Sequence, residues 1–211
     1  TGSLTFFTAA NPAMKHGGLI NYSKIDGFEG ISEKYLPKTV KLPDGASPAF
    51  VEAEMKRLSL DFPVVLKPDK GERGYNVEII ATQDQLKRYL AQLSEDLILQ
   101  EFVDEPIEIG VMYARFPGET RGRITSITLK DRLTVTGDGS STLDRLITAD
   151  PRCSYHGEWI RGLWKDRLDW IPNSGETIAL NQVGNHSRGA IFKNGNHLDR
   201  KSTRLNSSHY S

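Results

Sequence analysis

The chain has 211 residues and a single cysteine, Cys153. One thiol excludes an intramolecular disulfide framework and any multi-cysteine zinc site, and it fits a reducing compartment such as the cytoplasm. No apolar run approaches the roughly 18 residues of a membrane-spanning helix, and no membrane partner is expected. Thr1 to Ala10 lack the basic start and long apolar core of a signal peptide. Charge of one sign is missing too: Lys+Arg and Asp+Glu number 27 each, for a formal net charge of zero. That balance argues against a polybasic nucleic-acid binder and against an acidic tail. There is no internal repeat, no coiled-coil heptad and no G-x-x-x-x-G-K-[ST] phosphate loop. What is present, 37% hydrophobic and 26% charged residues, is a globular composition able to bury a core.

The pattern along the chain predicts an α+β fold. Asn11-Pro12 and Gly17-Gly18 mark turns near the start. Ser47 is placed to cap a helix with Pro48 in its first turn and Phe50, Val51, Met55 and Leu58 on one face. Residues 62–68 read as a buried strand stopped by proline, and a glycine-punctuated loop, 69–76, leads to a second strand at 77–81. Thr82 to Gln85 forms a capping box for a helix with a Leu86, Tyr89, Leu90, Leu93 stripe, and 97–103 is a further strand. Beyond Pro106, Ile107, Ile109, Val111 and Tyr113 alternate as a half-buried strand, with 123–130 as its antiparallel partner. Gly137-Asp138-Gly139 is a tight turn, after which Ser140 or Ser141 caps a helix carrying Leu143, Leu146 and Ile147. Trp159, Ile160, Leu163, Trp164 and Leu168 form a helical core stripe that runs to Pro172, and 176–182 is a strand before a polar loop.

Two features carry chemistry. Lys67 ends a buried strand and is followed at once by the loop Gly71-Glu72-Arg73-Gly74. Backbone amides of such a loop can close on phosphate oxygens while a strand-anchored lysine fixes a positive charge beside them, although an ordinary hairpin with a surface lysine has the same residues. In a protein kinase the glycine loop precedes its strand lysine, whereas here it follows. The second feature is Gln100-Glu101-Phe102-Val103 running into a proline-bearing hinge with Glu108 beyond. A hinge of this kind can offer backbone groups to an adenine edge and a carboxylate to ribose hydroxyls.

In this order, Phe62-Pro63-Val64-Val65-Leu66-Lys67-Pro68, Gly71-x-Arg73-Gly74-x-x-Val77 and Gln100-Glu101-Phe102-Val103 with Glu108 resemble the ATP-grasp superfamily. Asn11-Pro12 through Gly17-Gly18 to Ser23-Lys24, Val135 to Leu143, and Asn185-x-x-Arg188-Gly189-Ala190 resemble its carboxylate–amine ligases near D-alanine–D-alanine ligase and cyanophycin synthetase. The resemblance implies ATP held between two α+β subdomains, transfer of its γ-phosphoryl group to a carboxylate, and attack on the acyl phosphate by an amine of a small molecule or peptide. It implies that Lys67 holds ATP phosphates with Lys24 as a second lysine, and that Gly71, Arg73 and Gly74 fold over them. Glu101 and Val103 meet the adenine edge and Glu108 the ribose. Lys130, Asn185 and Arg188 are the catalytic residues, stabilising charge at the transferring phosphoryl group. A solvated strand end suits Lys130 equally, whereas for Arg188 the Asn185-x-x-Arg188-Gly189 setting favours the phosphoryl role over a loop arginine paired to an acid.

The implied subdivision is 1–38 as the end of a preceding region, 39–104 as the lid subdomain, 105–198 as an incomplete core subdomain, and 199–211 as a disordered, non-native tail. The tail resembles translated adapter DNA, though a native disordered tail has the same composition. It carries Arg200, Lys201 and Arg204 against Asp199 alone, so the neutral balance owes two charges to it. Mg²⁺ is the implied cofactor beside ATP, but no Glu-x-Asn element follows Ala190 to ligate it, and the chain as it stands is expected to be inactive. A homodimer is compatible with the resemblance. The rival readings are a non-catalytic nucleotide-binding module and a phosphotransferase that does not ligate. Histidines 16, 156, 186 and 197 lack metal-ligand spacing and read as loop residues, with His186 inside the proposed acyl-phosphate loop. Cys153 reads as a turn thiol without a nucleophile's partners. Arg115, Arg121 and Arg123 suit either an acidic substrate or a salt-bridged surface.

Overall fold

The structure is a computed structural model describing residues 9, 11, 14–18, 22–71, 74–105, 107–181 and 189–198. Arg73, Asn185, His186, Arg188 and the tail 199–211 lie outside the described residues. The chain divides into two compact units, Thr1–Asp104 and Glu105–Ser211.

The first unit is a four-stranded antiparallel sheet with two helices. Its elements are β1 (Thr39–Leu42), α1 (Pro48–Leu58), β2 (Val64–Pro68), β3 (Glu78–Ile80), α2 (Gln83–Gln92) and β4 (Leu97–Glu101), in sheet order β1-β4-β2-β3. Ser47 caps α1 by accepting from the Phe50 amide, with Pro48 in the first turn, where a missing N–H costs nothing. Val51 and Met55 point into the core, but Phe50 is exposed, because the helix buries a narrower stripe than the apolar residues suggest. At α2, Thr82 accepts from the Gln85 amide while the Gln85 side chain takes the Ala81 amide at 2.7 Å, one residue before the usual capping-box donor.

Period two divides the sheet into two faces. Val64 and Leu66, with Leu97, Leu99, Leu42 and Ile80, pack against Val51, Met55, Leu86 and Tyr89 in one core. Alternation sends Val65 and Lys67 to the opposite face, together with Thr39, Lys41 and Gln100, whose register partners share that side.

The second unit has β5 (Glu108–Ala114), β6 (Arg123–Asp131) and β9 (Ile191–Asn194) in an antiparallel sheet ordered β5-β6-β9. A separate antiparallel pair, β7 (Thr134–Thr136) and β8 (Thr177–Ala179), packs with the intervening α3 (Leu143–Ala149), α4 (Pro151–Tyr155) and α5 (Gly157–Leu163) around Leu133, Val135, Ile147, Cys153, Ile160 and Leu180. Four expectations change here. Strand β5 is not half buried: Ile109 and Val111 are 44% and 51% exposed, since nothing among the described residues covers them. Thr142, not Ser140 or Ser141, caps α3: its hydroxyl accepts from the Arg145 amide, while the Ser140 and Ser141 amides and the Ser141 hydroxyl bond the Asp138 carboxylate in the preceding turn. Those bonds hold the Asp138 carboxyl well below its ordinary range. The tryptophan stripe breaks after Leu163 into a 3₁₀ turn at Lys165–Arg167, so Leu163 is exposed and the helix stops well before Pro172. Cys153 lies in a short helix, fully buried, and burial pushes its thiol up to about 11.

Among the described residues no helix is long and apolar enough to cross a membrane.

Candidate functional site

The features that single out a site are in the first unit, on the sheet face that the helices leave open. Lys67 projects from β2 and donates to Gln100 Oε1 at 2.8 Å; Gln100 in turn donates to Thr39 Oγ1 at 2.9 Å, and Thr39 to the Pro37 carbonyl. Each acceptor in this chain is neutral. Lys24 arrives from a loop and donates to the carbonyls of Pro68 at 2.7 Å and Asp69 at 3.1 Å. Neither lysine forms an ion pair among the described residues.

Two ammonium groups are therefore held near each other by dipoles rather than by charges. Lys67 lies below its ordinary pKa, first because burial penalises the ammonium and then because the Lys24 charge repels it. Lys24 is also lowered, by burial, against the opposing pull of Asp69 and Glu95. Such a pair favours any anion that brings negative charge between the two groups.

The glycine loop begins beside them. A Cβ on Gly71 would come to 4.0 Å from Lys24 Nζ, and the residue takes φ +140°, which side-chain-bearing residues rarely adopt. Gly74 turns in the left-handed region, and the loop closes with the Val77 amide on the Gly74 carbonyl. Its far end is fixed by Tyr89 of α2, whose hydroxyl donates to the Asn76 carbonyl at 2.6 Å. Burial and neighbouring acids raise the Tyr89 pKa, so the phenol remains a donor. Sequence reasoning missed both Tyr89 and Gln100; a polar residue on the face of β4 away from the helices, diagonal to Lys67, is the legible sign of the latter.

At the end of β4 the Glu101 amide donates to the Lys38 carbonyl at 2.8 Å, and its carboxylate accepts from the Lys38 amide at 3.1 Å. The Glu101 N–H is thus spent within the sheet, while Val103 makes no hydrogen bond among the described residues and is 54% exposed. In the second unit, Glu108 and Lys130 face each other across β5 and β6 and form an ion pair at 2.6 Å. Arg123 pairs with Glu119 at 3.2 Å and stacks on Phe116, the salt-bridged surface its position allowed. Among the described residues no group of three or more His, Cys, Asp or Glu is placed to hold a metal. The side chains on view therefore do not fit a Mg²⁺ site.

Residues 41–112 match the family described as the RimK-like ATP-grasp domain. This stretch contains Lys67, the glycine loop, Glu101, Val103 and Glu108, so over residues 41–112 the resemblance seen in those motifs holds. Among solved structures, the chain is similar to a bifunctional glutathione synthetase from Pasteurella multocida at 15% identity and TM-score 0.35, covering 82% of this chain and 25% of that one. It is similar to carboxyaminoimidazole ribonucleotide synthase from Aspergillus clavatus, complexed with ATP, at 14% identity and TM-score 0.44, covering 74% and 39%. D-Alanine–D-alanine ligase from Helicobacter pylori aligns at 13% identity and TM-score 0.41, covering 76% and 54%. The chain thus spans between a quarter and just over half of these structures. No curated protein matches it.

Proposed function

We propose that the chain is part of an ATP-dependent carboxylate–amine ligase and that its first unit grips the ATP phosphates. The observation that carries this reading is the pair of lysines, Lys24 and Lys67, held by neutral acceptors beside the positive-φ turn at Gly71. A polyphosphate offers what the pair lacks: several negative oxygens that two ammonium groups and loop amides can share.

In this reading Gly71, Arg73 and Gly74 close over the phosphates, and Val103 with the Glu101 backbone meets the adenine edge. Glu108 takes ribose hydroxyls, held in place by Lys130. Lys130, Asn185 and Arg188 act where charge accumulates as the γ-phosphoryl group leaves ADP for a substrate carboxylate. The P–O bond to ADP breaks as the bond to the carboxylate oxygen forms. An amine then adds to the acyl carbon, inorganic phosphate departs with the C–O bond electrons, and the amine proton passes to solvent. Activation is needed because a carboxylate repels nucleophiles and has no adequate leaving group.

Isothermal titration of the whole chain with ATP and with inorganic tripolyphosphate tests the core of the proposal. Lys67→Ala should weaken both at least tenfold, about 1.4 kcal/mol or more. Near-normal affinity in the variant would sink the phosphate role.

A further inference from the structure

We propose that Asp69 is a positioning residue that seats Lys24 beside Lys67, an inference that rests on the phosphate reading above. Lys24 has no strand or helix to hold it, because residues 22–25 are loop and turn. Instead, three consecutive residues converge on Asp69. Ser23 Oγ donates to its Oδ1 at 2.9 Å, the Ile25 amide to the same oxygen at 3.3 Å, and the Lys24 amide to its backbone carbonyl at 3.1 Å. The Lys24 ammonium ends on that same carbonyl and on the Pro68 carbonyl, so both ends of the lysine are anchored to the residues that immediately follow Lys67.

Asp69 itself has little freedom to move. It is fully buried, its amide donates to the Asp96 carbonyl at 2.9 Å, and its Oδ2 lies 3.2 Å from Lys41 Nζ. Lys41 is shared with Asp96 at 2.8 Å, which ties the cluster to β1. A buried carboxylate is costly unless it is paired and hydrogen-bonded. Burial pushes the Asp69 carboxyl up, but Ser23, the Ile25 amide and Lys41 outweigh it and leave the group ionised. The carboxylate serves a local purpose: its Oδ1 takes one bond from each neighbour of Lys24, Ser23 and Ile25, and so brings the lysine up to the Pro68 and Asp69 carbonyls.

The arrangement makes Asp69 Oδ1, rather than its charge alone, the holding atom. Three variants of the whole chain separate these roles: Asp69→Ala removes the acceptor and the charge, Asp69→Asn keeps an acceptor, and Ser23→Ala leaves Asp69 intact while cutting one bond. Tripolyphosphate affinity should fall at least tenfold in Asp69→Ala, recover to within about threefold of the parent in Asp69→Asn, and fall about threefold in Ser23→Ala. A second readout does not depend on ligand: the titration of Lys24, followed by NMR after reductive ¹³C-methylation. If Asp69→Ala frees Lys24 to solvent, its pKa rises, because burial is what lowers it. If Lys24 stays in place, its pKa falls further, because the Asp69 carboxylate raises it. A fall overturns the proposal whatever happens to affinity, as does Asp69→Asn binding as poorly as Asp69→Ala. Should Asp69→Ala fail to fold, Ser23→Ala decides: a raised Lys24 pKa with weaker binding supports the role, and an unchanged lysine overturns it. A parent chain that ignores tripolyphosphate would instead defeat the phosphate reading, while the Lys24 titration would still judge the clamp.

Discussion

Strands β2 and β5 are both apolar with period-two character, and each belongs to a sheet that bears a lysine marked for phosphate, yet they end in opposite surroundings. Around β2, Val64 and Leu66 are fully buried beneath the helices and Lys67 is left facing a neutral amide. Around β5, Ile109, Val111 and Tyr113 stay exposed, and Lys130 on the neighbouring strand is neutralised by Glu108 at 2.6 Å. Alternation assigns residues to faces; it does not say whether anything covers the face. Nor does a lysine at the right sequence position say whether its charge is available. An anion approaching Lys67 displaces an amide oxygen, whereas one approaching Lys130 competes with a carboxylate.

The largest test of this contrast is in the cores. Leu66→Ala removes a fully buried side chain from the core beneath α1 and α2, and should cost about 2–5 kcal/mol in urea unfolding. Val111→Ala, on a face nothing covers among the described residues, should change stability by less than about 0.5 kcal/mol. A loss of several kcal/mol at Val111 would mean that β5 is buried in solution and would erase the distinction.

The lysines sharpen it. Lys67 is lowered in the folded chain by burial and by Lys24, so its charged form costs stability until the pH rises through that lowered pKa. Lys67→Met removes the burdened charge and keeps the stem. It should abolish tripolyphosphate binding while raising Tm by about 2 °C. In the parent chain, polyphosphate affinity should decline at a pH below the ordinary lysine range of about 10.4, because the lowered lysines lose their protons first. Lys130→Met should leave ground-state affinity within about twofold, since Glu108 already occupies its charge. A lower Tm in Lys67→Met would show that the Gln100 bond outweighs the desolvation.

Much of this arrangement can be read from the amino acids, and the gaps have physical reasons. The caps at Ser47 and Thr82, the strand bearing Lys67 and the glycine turns follow from local chemistry, which depends on few neighbours. The cap falls at Thr142, one or two residues beyond the serines, because Asp138 gathers Ser140 and Ser141 into the preceding turn, a choice made by turn geometry. The exposure of Phe50 and β5 could not be read, since it depends on which element packs where. Lys24 was marked by motif alone. What its ammonium bonds, the Pro68 and Asp69 carbonyls 44 and 45 residues later in the chain, is a tertiary fact with no local signature.

Tyr89 offers the finest test, because it joins the two kinds of evidence, a core residue and a loop anchor. Its ring is 3% exposed in the first core, and its hydroxyl fixes Asn76, a left-handed residue that ends the glycine loop. Tyr89→Phe keeps the packing and deletes one hydrogen bond, so stability should fall by about 1 kcal/mol. If the loop folds over phosphate, freeing its far end adds ordering entropy to binding, and tripolyphosphate affinity should fall about two- to threefold. Lys67→Met and Tyr89→Phe then both weaken the ligand while moving Tm in opposite directions. A lower Tm with unchanged affinity in Tyr89→Phe would confine the phosphate contacts to the two lysines and remove the loop from the site.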